Sequence, residues 1–230
     1  MVDNWASGLL DLLAPQRCQF CARACSGLPL CDACRAELPW NRLACPHCAL
    51  PQTHAAPCAR CSRKPPPFAR AWAPLRLTTP IREQIHALKY EAGFSHARTL
   101  AALFAATLPD RSLPPPDLIL PVPLHRGRLW RRGYNQSVEL GRALARETGI
   151  ACAADGARRL RATADQIGMS AAQRRRNVRG AFAITAPVAG LHVALLDDVM
   201  TTGATLAELA RVTRAAGARE VEAWAIARVD

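Results

Sequence analysis

The segment VALLDDVMTTGATL, residues 193–206, sets two adjacent acids between an apolar run and a turn rich in hydroxyl groups. The apolar run predicts a central strand, and the turn predicts the start of a helix. Backbone N–H groups and hydroxyls at such a turn bind phosphate, whereas Asp197 and Asp198 would accept hydrogen bonds from sugar hydroxyls. The segment therefore predicts a site for a ribose 5-phosphate unit. The phosphate-binding residues predicted in the turn are Thr201, Thr202, Gly203, Ala204 and Thr205.

Strand and helix patterns alternate around this segment. Strands are predicted at 71–77, 117–123, 181–185, 192–196 and 221–229. A helix opened by Pro80, a helix capped by Ser95, and helices at 135–148 and 205–216 are predicted between them. This alternation predicts an α/β fold with a central parallel sheet, whose ligands bind beyond the C-terminal ends of the strands. The loops predicted at that end are 121–134, 158–180 and 197–205.

Eight of the ten cysteines form four CxxC pairs, and the spacing CxxC-x9-CxxC occurs twice in tandem, shifted by 27 residues. A CxxC turn offers two thiolates to a tetrahedral ion, so each repeat can supply the four ligands of a structural zinc site. A segment this short cannot bury a core, and the metal would provide its folding energy. We therefore predict a double zinc ribbon with two Zn²⁺ ions, although the spacing leaves a crossed pairing open. The predicted ligands are Cys18, Cys21, Cys31, Cys34, Cys45, Cys48, Cys58 and Cys61.

A disulfide framework is the rival interpretation of the cysteines, and it needs an oxidising compartment. The N-terminus lacks the basic region and cleavage site of a secretion signal, and no apolar run is long enough to span a membrane. We therefore expect a cytoplasmic protein with reduced cysteines and no membrane span. The leucines between 9 and 13 are expected to form a docking turn. The prolines at 65–67 predict a stiff linker between a ribbon domain, 1–64, and a second domain, 68–230.

The formal charge of +12 is concentrated in one part of the chain. Residues 121–180 contain 13 arginines and four acids, which gives +9 in sixty residues. This concentration predicts an anionic ligand or partner beside that segment, and a solvated arginine-rich surface is the alternative.

Two sets of motifs resemble known families. The stretch LLDDVMTTGAT, 195–205, resembles the phosphoribosyl pyrophosphate motif of type I phosphoribosyltransferases. The double ribbon, the proline linker, HALKY at 86–90, PVPLHRGRLWRRGYNQ at 121–136 and MSAAQRRRNVRGAF at 169–182 resemble the ComF family over nearly the whole chain. The resemblance implies a type I phosphoribosyltransferase fold with a hood, preceded by the zinc ribbons, and a part in natural transformation and DNA uptake.

The resemblance also implies roles for particular residues. Asp197 and Asp198 would hold the ribose while pyrophosphate leaves, and Mg²⁺ would bind the diphosphate and the ribose hydroxyls. The pyrophosphate loop would contain Leu124, His125 and Arg126. The hood would bind anions through Arg174, Arg175, Arg176 and Arg179.

Three functions remain open at this point. The first is a Mg²⁺-dependent phosphoribosyltransferase of unknown acceptor, and the second is a non-catalytic adaptor that binds single-stranded DNA and DNA-uptake proteins. The third is a regulator that binds phosphoribosyl pyrophosphate without turning it over. The intact pair Asp197 and Asp198 favours the first and third, because two carboxylates in a phosphate groove would weaken the binding of DNA.

Overall fold

The computed structural model of the protein describes residues 16–25, 28–91, 93–111, 113–162 and 170–229. The docking turn predicted between 9 and 13 lies outside the described residues, as does the middle of the predicted hood, 163–169. Within the described ranges, every helix is too short or too polar to cross a membrane.

A parallel sheet of six strands forms the centre of the molecule. The eight strands of the described chain are β1 (Arg70–Trp72), β2 (Leu75–Arg76), β3 (Leu118–Pro121), β4 (Ala151–Cys152), β5 (Ala157–Arg159), β6 (Phe182–Ile184), β7 (His192–Met200) and β8 (Glu220–Arg228). The order in the central sheet is β1-β8-β7-β3-β4, and β2 also pairs with β8. Every pair in this sheet is parallel. The predicted fold class, a central parallel sheet flanked by helices, is confirmed.

Helices cover both faces of the sheet. They are α1 (Asp32–Ala36), α2 (Ala59–Arg63), α3 (Ile81–Tyr90), α4 (Phe94–Ala105), α5 (Arg126–Arg132), α6 (Gln136–Thr148), α7 (Ala171–Val178) and α8 (Ala204–Ala215). Trp224 and Ile226 of β8 belong to one apolar cluster with α3, α4 and α6, whereas Ala223 and Ala225 belong to a second cluster with α8. Neighbouring residues of β8 belong to different clusters because successive side chains of a strand point to opposite faces of the sheet. Both clusters are apolar because helices bury the sheet on both faces.

The sequence signals at helix ends hold in some places and fail in others. Asn135 caps α6, since its side chain accepts a hydrogen bond from the Ser137 N–H at 3.0 Å, and Gly149 ends that helix with φ of 74°. The predicted cap at Ser95 is wrong, because α4 already begins at Phe94 after Gly93. The helix begins two residues earlier than a cap at Ser95 implies.

The strand predicted at 181–185 is present but does not join the central sheet. Phe182–Ile184 pairs antiparallel with Ala157–Arg159, and these two strands form a small separate sheet. Phe182 packs in the apolar layer that contains α8. The pair carries the chain into and out of the predicted hood.

The cysteine-rich segment packs directly on the sheet. Trp40 bridges to Leu75 of β2, and the Asn41 side chain donates to the carbonyls of Ala49 and Ala73, both at 2.9 Å. Cys18, Leu30 and Leu38 lie in the same apolar cluster as α3 and α4. The ribbons and the α/β body therefore share part of their buried surface.

Candidate functional site

Asp197 and Asp198 lie at the C-terminal edge of the central sheet, as predicted, but within the strand rather than after it. The strand β7 continues to Met200, and Asp197 and Val199, on either side of Asp198, pair with Ala225 and Ala227 of β8. Asp198 is only 4% exposed. Burial of two carboxylates is costly unless they find partners, so their contacts decide how the site works.

Lys89, at the end of α3, forms an ion pair with Asp198. Burial alone would raise the pKa of Asp198, but the ammonium group beside it holds that pKa below its usual range. Burial would likewise lower the pKa of Lys89, and Asp198 raises it instead. The pair is therefore charged on both sides at neutral pH.

Asp197 has a different environment. Its Oδ1 accepts hydrogen bonds from the Ser137 hydroxyl at 3.1 Å and from the Asp198 N–H at 2.9 Å. Burial, and then the negative charge of Asp198, raise the pKa of Asp197 to about 8. The two acids consequently carry different charges near neutral pH, and a cationic or hydroxyl-bearing ligand would draw Asp197 toward its ionised form.

The predicted phosphate turn follows β7 immediately. Gly203 precedes α8 with φ of 74°, a conformation that glycine adopts without a steric penalty. The Thr201 hydroxyl accepts a hydrogen bond from Arg174 at 2.7 Å. A residue of the predicted hood thus contacts the turn at the start of α8, where backbone N–H groups and the helix dipole favour an anion.

A cavity of about 430 Å³ joins the acids to the turn. The predicted site residues that line it are Leu124, Arg174, Asp197, Asp198, Thr201, Gly203, Ala204 and Thr205. Thr202 and Arg175 line a neighbouring cavity of about 420 Å³ on the other side of the turn. Four predicted residues line neither cavity, and they are His125, Arg126, Arg176 and Arg179. His125 instead caps α5, since its ring nitrogen accepts from the Gly127 N–H at 3.2 Å.

The structure adds residues to which the sequence reasoning assigned no role. They are Lys89, Ser137 and Arg159, and all of them line the cavity together with Gln136, which the sequence offered as a residue that could orient an acceptor. Lys89 lies in the HALKY motif, and this motif is the sequence signal that could have identified it as a site residue. Arg159 is half-buried, and burial together with the nearby Arg128 lowers its pKa. Arg128, Arg159 and Arg174 place three guanidinium groups around a cavity that holds two acids at its floor.

The eight predicted zinc ligands form two separate clusters. Cys18, Cys21, Cys31 and Cys34 form one, and Cys45, Cys48, Cys58 and Cys61 form the other, with all ligand atoms of a cluster within 4.8 Å of one another. Pairing within each repeat is therefore observed, and every described cysteine is a free thiol. Sulfur atoms at this separation around one centre fit a tetrahedral zinc ion.

The thiols of the two clusters differ in their surroundings. Burial opposes ionisation of Cys18, yet hydrogen bonds from the Cys31 and Phe20 backbone lower its pKa to about 6. The same balance lowers the pKa of Cys58 to about 7. The pKa values of their neighbours Cys34 and Cys61 are raised, chiefly by hydrogen bonding with Cys21 and by burial respectively, so each cluster favours one thiolate first. The second cluster is buried at all four positions, whereas Cys21 of the first is exposed.

The second cluster also contacts the phosphate turn. Arg228, which is 3% exposed, donates to the Cys48 carbonyl at 3.0 Å and to the Met200 carbonyl at 3.1 Å. Arg60, between two cysteines of the cluster, donates to the Thr202 carbonyl at 3.4 Å. These contacts connect the second cysteine cluster with the backbone on both sides of Thr201.

Comparisons with known proteins cover nearly the whole chain. A family model described as double zinc ribbon domain matches residues 9–62. DNA utilization protein YhgH of Salmonella typhi is 39% identical over 224 residues, which cover 94% of this chain and 99% of that protein. Competence protein F of Haemophilus influenzae is 32% identical over 228 residues, which cover 96% of this chain and 94% of that protein.

Solved structures of lower similarity were also found. Glutamine phosphoribosylpyrophosphate amidotransferase of B. subtilis is 22% identical, with a TM-score of 0.41, over 61% of this chain and 30% of that one. A purine phosphoribosyltransferase of Pyrococcus horikoshii is 18% identical, with a TM-score of 0.35, over 57% of this chain and 82% of that one.

Proposed function

The chain belongs to the ComF family, and from this premise and the geometry of its acidic cavity we propose that it binds phosphoribosyl pyrophosphate and transfers the phosphoribosyl group to a nucleophile. The names of its relatives, DNA utilization protein and competence protein, support a role for this chemistry in the uptake or use of DNA. The proposal depends chiefly on one observation: a buried acid pair and a phosphate-type turn share one cavity of about 430 Å³.

The ligand matches the cavity group by group. The 5-phosphate would lie on the turn at 201–205, four residues of which line the cavity, because the start of a helix favours an anion. The ribose hydroxyls would donate to Asp197 and Asp198. The diphosphate would lie among Arg128, Arg159 and Arg174, because guanidinium groups bind phosphate oxygens through paired hydrogen bonds.

Each residue then has a definable part in the displacement at the anomeric carbon. Positive charge develops on the sugar as pyrophosphate leaves, and the carboxylates beneath the ribose stabilise it. Arginines at the cavity wall stabilise the negative charge on the leaving group. Ser137 and Lys89 hold the two acids in place, the first through the 3.1 Å bond to Asp197 and the second through the ion pair with Asp198.

Magnesium fits this site only together with the ligand. Within the described ranges, no other His, Cys, Asp or Glu joins Asp197 and Asp198 to make a set of three. Since Mg²⁺ prefers six oxygen ligands, most of them would come from the diphosphate, the ribose and water. A bound ion would make pyrophosphate a better leaving group by neutralising its charge.

The alternative function, a non-catalytic adaptor that binds single-stranded DNA, is less compatible with this cavity. Two acids at its floor, one held ionised by Lys89, would repel a phosphodiester chain that entered it. A sensor of phosphoribosyl pyrophosphate would share the binding site but lack turnover. An assay of pyrophosphate release distinguishes the two functions, because only the enzyme would release it.

We also propose the boundaries and the compartment. The ribbon domain would span 1–64 and the catalytic domain 68–230, joined by the prolines at 65–67. Two clusters of free thiols favour a reducing compartment, the cytoplasm, because zinc ligation needs reduced cysteines.

Calorimetric titration of phosphoribosyl pyrophosphate with and without Mg²⁺ tests the proposal. We expect Mg²⁺-dependent binding to the wild type and at least about a tenfold loss in Asp197→Asn, since a charge-assisted hydrogen bond contributes about 1.5–3 kcal/mol. Asp110→Asn, an exposed acid on the 3₁₀ turn Leu108–Arg111, is the matched control. Absence of binding to the wild type at millimolar ligand would refute the enzyme and the sensor together.

A further inference from the structure

The cavity of about 420 Å³ on the other side of the phosphate turn has no part in the proposed sugar-phosphate site. Its walls come from the prolines at 65–67 and Phe68, from α2 of the second ribbon, from Arg175 of α7 and from the start of α8. We call it the linker cavity. Its volume lies within the range of about 300–1,000 Å³ that is typical of small-molecule sites.

The charged side chains that line the linker cavity are all cationic. They are Arg60, Lys64 and Arg175. No Asp or Glu is among the described residues of the wall, whereas the acidic cavity has two carboxylates. The acid of α8, Glu208, is already bound, since it accepts from the Gly180 N–H at 2.7 Å and from Arg211 at 2.8 Å. The linker cavity therefore attracts an anion without carboxylates that oppose it.

The second cysteine cluster, which borders the linker cavity, does not account for all of this positive charge. Four thiolates around one Zn²⁺ would carry two negative charges in excess. Arg60 forms a hydrogen bond with the Cys48 thiol, and Arg228 donates to the Cys48 carbonyl at 3.0 Å, so these two guanidinium groups balance the cluster. Lys64 and Arg175 are exposed, and no acid of the described chain pairs with either. Their charges are left for a ligand.

The remaining wall is apolar and suits an organic body. Three consecutive prolines, 65–67, adjoin Phe68, which is only 4% exposed, and Ala207 of α8 adds another apolar side chain. Proline has a fixed backbone angle and no N–H donor, so this wall is preformed and offers apolar contact. A flat base would bury apolar surface there. Since three cations would overcompensate a single carboxylate, a diphosphate is the better match for the charged side.

We propose that the linker cavity binds a nucleoside diphosphate, whose phosphates lie among the three cations and whose base lies on the prolines at 65–67. The thiols of Cys48 and Cys61, which also line the cavity, belong to a closed set of four metal ligands and take no part. An acidic protein segment would need a contact surface far larger than this cavity. The ligand is therefore a small molecule.

The linker cavity lies close enough to the acidic cavity to affect it. Gly203 and Ala204 line both cavities, so one turn of backbone would separate the two ligands. Two anions on opposite sides of this turn repel each other, and the nucleotide would weaken binding of phosphoribosyl pyrophosphate without entering its site. Only this coupling rests on the proposed function, because binding of the nucleotide does not require the acid pair.

Calorimetric titration with adenosine diphosphate and with uridine diphosphate, without Mg²⁺, tests the proposal. We expect saturable binding of at least one of them. Lys64→Ala combined with Arg175→Ala should weaken it at least about tenfold, because two charge-assisted contacts are lost. The matched control is Arg63→Ala combined with Arg176→Ala. It removes the same charge from the neighbouring exposed residues, neither of which lines the linker cavity, and should change the affinity less than about twofold.

Inorganic pyrophosphate is the second probe, and it should bind at least about tenfold more weakly than the nucleotide, because it has no base to bury. Three results would overturn the inference. One is absence of binding of both nucleotides to the wild type at millimolar concentration. Another is equal loss of affinity in the two double variants, which would reduce the effect to general positive charge. The third is pyrophosphate that binds as tightly as the nucleotide.

The variant Asp197→Asn separates this inference from the proposed function. Asp197 lines the acidic cavity and not the linker cavity, so the variant should lose affinity for phosphoribosyl pyrophosphate and keep its affinity for the nucleotide. In the wild type, excess nucleotide should lower the affinity for phosphoribosyl pyrophosphate to a plateau. Displacement without a plateau would place the nucleotide in the acidic cavity and overturn the inference.

Discussion

Replacing Arg228 with methionine should weaken both the fold and the phosphate turn, because this buried guanidinium supports the two at once. Methionine keeps most of the volume and removes the donors. Two carbonyls, those of Cys48 and Met200, lose hydrogen bonds of 3.0 and 3.1 Å from a charged donor, and Val229 loses a third. Each such bond contributes about 1.5–3 kcal/mol, and relief of the buried charge offsets part of the loss. We expect a net cost of about 3 kcal/mol.

Thermal melting provides the first assay. For a chain of this size, 1 kcal/mol shifts Tm by about 2–4 °C, so Arg228→Met should melt roughly 6–12 °C below the wild type. Arg219→Met is the control, because its guanidinium is 65% exposed and makes a single 3.4 Å contact with Asp117. An exposed pair of this kind contributes between zero and about 1 kcal/mol.

Zinc release and ligand binding provide the second and third assays for Arg228→Met. Loss of the Cys48 contact should speed release of one zinc equivalent to a colorimetric chelator, and loss of the Met200 contact should weaken binding of phosphoribosyl pyrophosphate. An Arg228→Met protein that melts within 2 °C of the wild type and binds the ligand equally well would refute this reasoning. The ribbon and the phosphate turn would then be in contact without affecting each other's stability or ligand binding.

Three further outcomes are expected. Lys89→Met should lower stability by about 3–5 kcal/mol, because Asp198 is left as a buried unpaired charge, and the double variant with Asp198→Asn should recover part of it in urea unfolding. Asp197→Asn should raise Tm relative to the wild type at pH 9. The native Asp197 has a pKa of about 8, so it ionises at a higher pH than the same acid in the unfolded chain, and this difference destabilises the wild type at high pH. Below about pH 4 both states are protonated, and the variant should lose its advantage. Cys58→Ser and Cys21→Ser should each remove one zinc by elemental analysis, and Cys58→Ser should lower Tm more, because its cluster is buried throughout.

The sequence predicts best where a feature is local. The turn at Gly203 and the pairing of cysteines within each repeat depend on neighbours a few residues apart, and the structure has both. The acid pair lies at the predicted edge of the sheet, although inside β7, which continues to Met200. The cap at Asn135 is equally local. The cap predicted at Ser95 is wrong because α4 begins at Phe94, two residues before the start that a Ser95 cap implies.

Features that depend on distant contacts could not be predicted. Lys89 and Asp198 lie on α3 and β7, and only the packing of helix on sheet brings them together. Hydropathy identified the strand at 181–185 but carries no information about its partner, which is β5 rather than the central sheet. His125 and Arg126 were assigned through motif resemblance, and in the structure they begin α5 and line neither cavity at the turn.

The strand order has a consequence for how the chain is made. β1 and β2 follow the ribbon closely, yet the strand with which both pair in parallel, β8, lies about 150 residues later. A ribosome releases the early strands long before their partner exists, and pairing over such a separation is slow. The cysteine modules close over short loops and can load metal first. Translation would then produce a metal-loaded ribbon before the last strand, β8, is synthesised. A shortage of zinc during synthesis would leave β1 and β2 with unpaired edges that can aggregate.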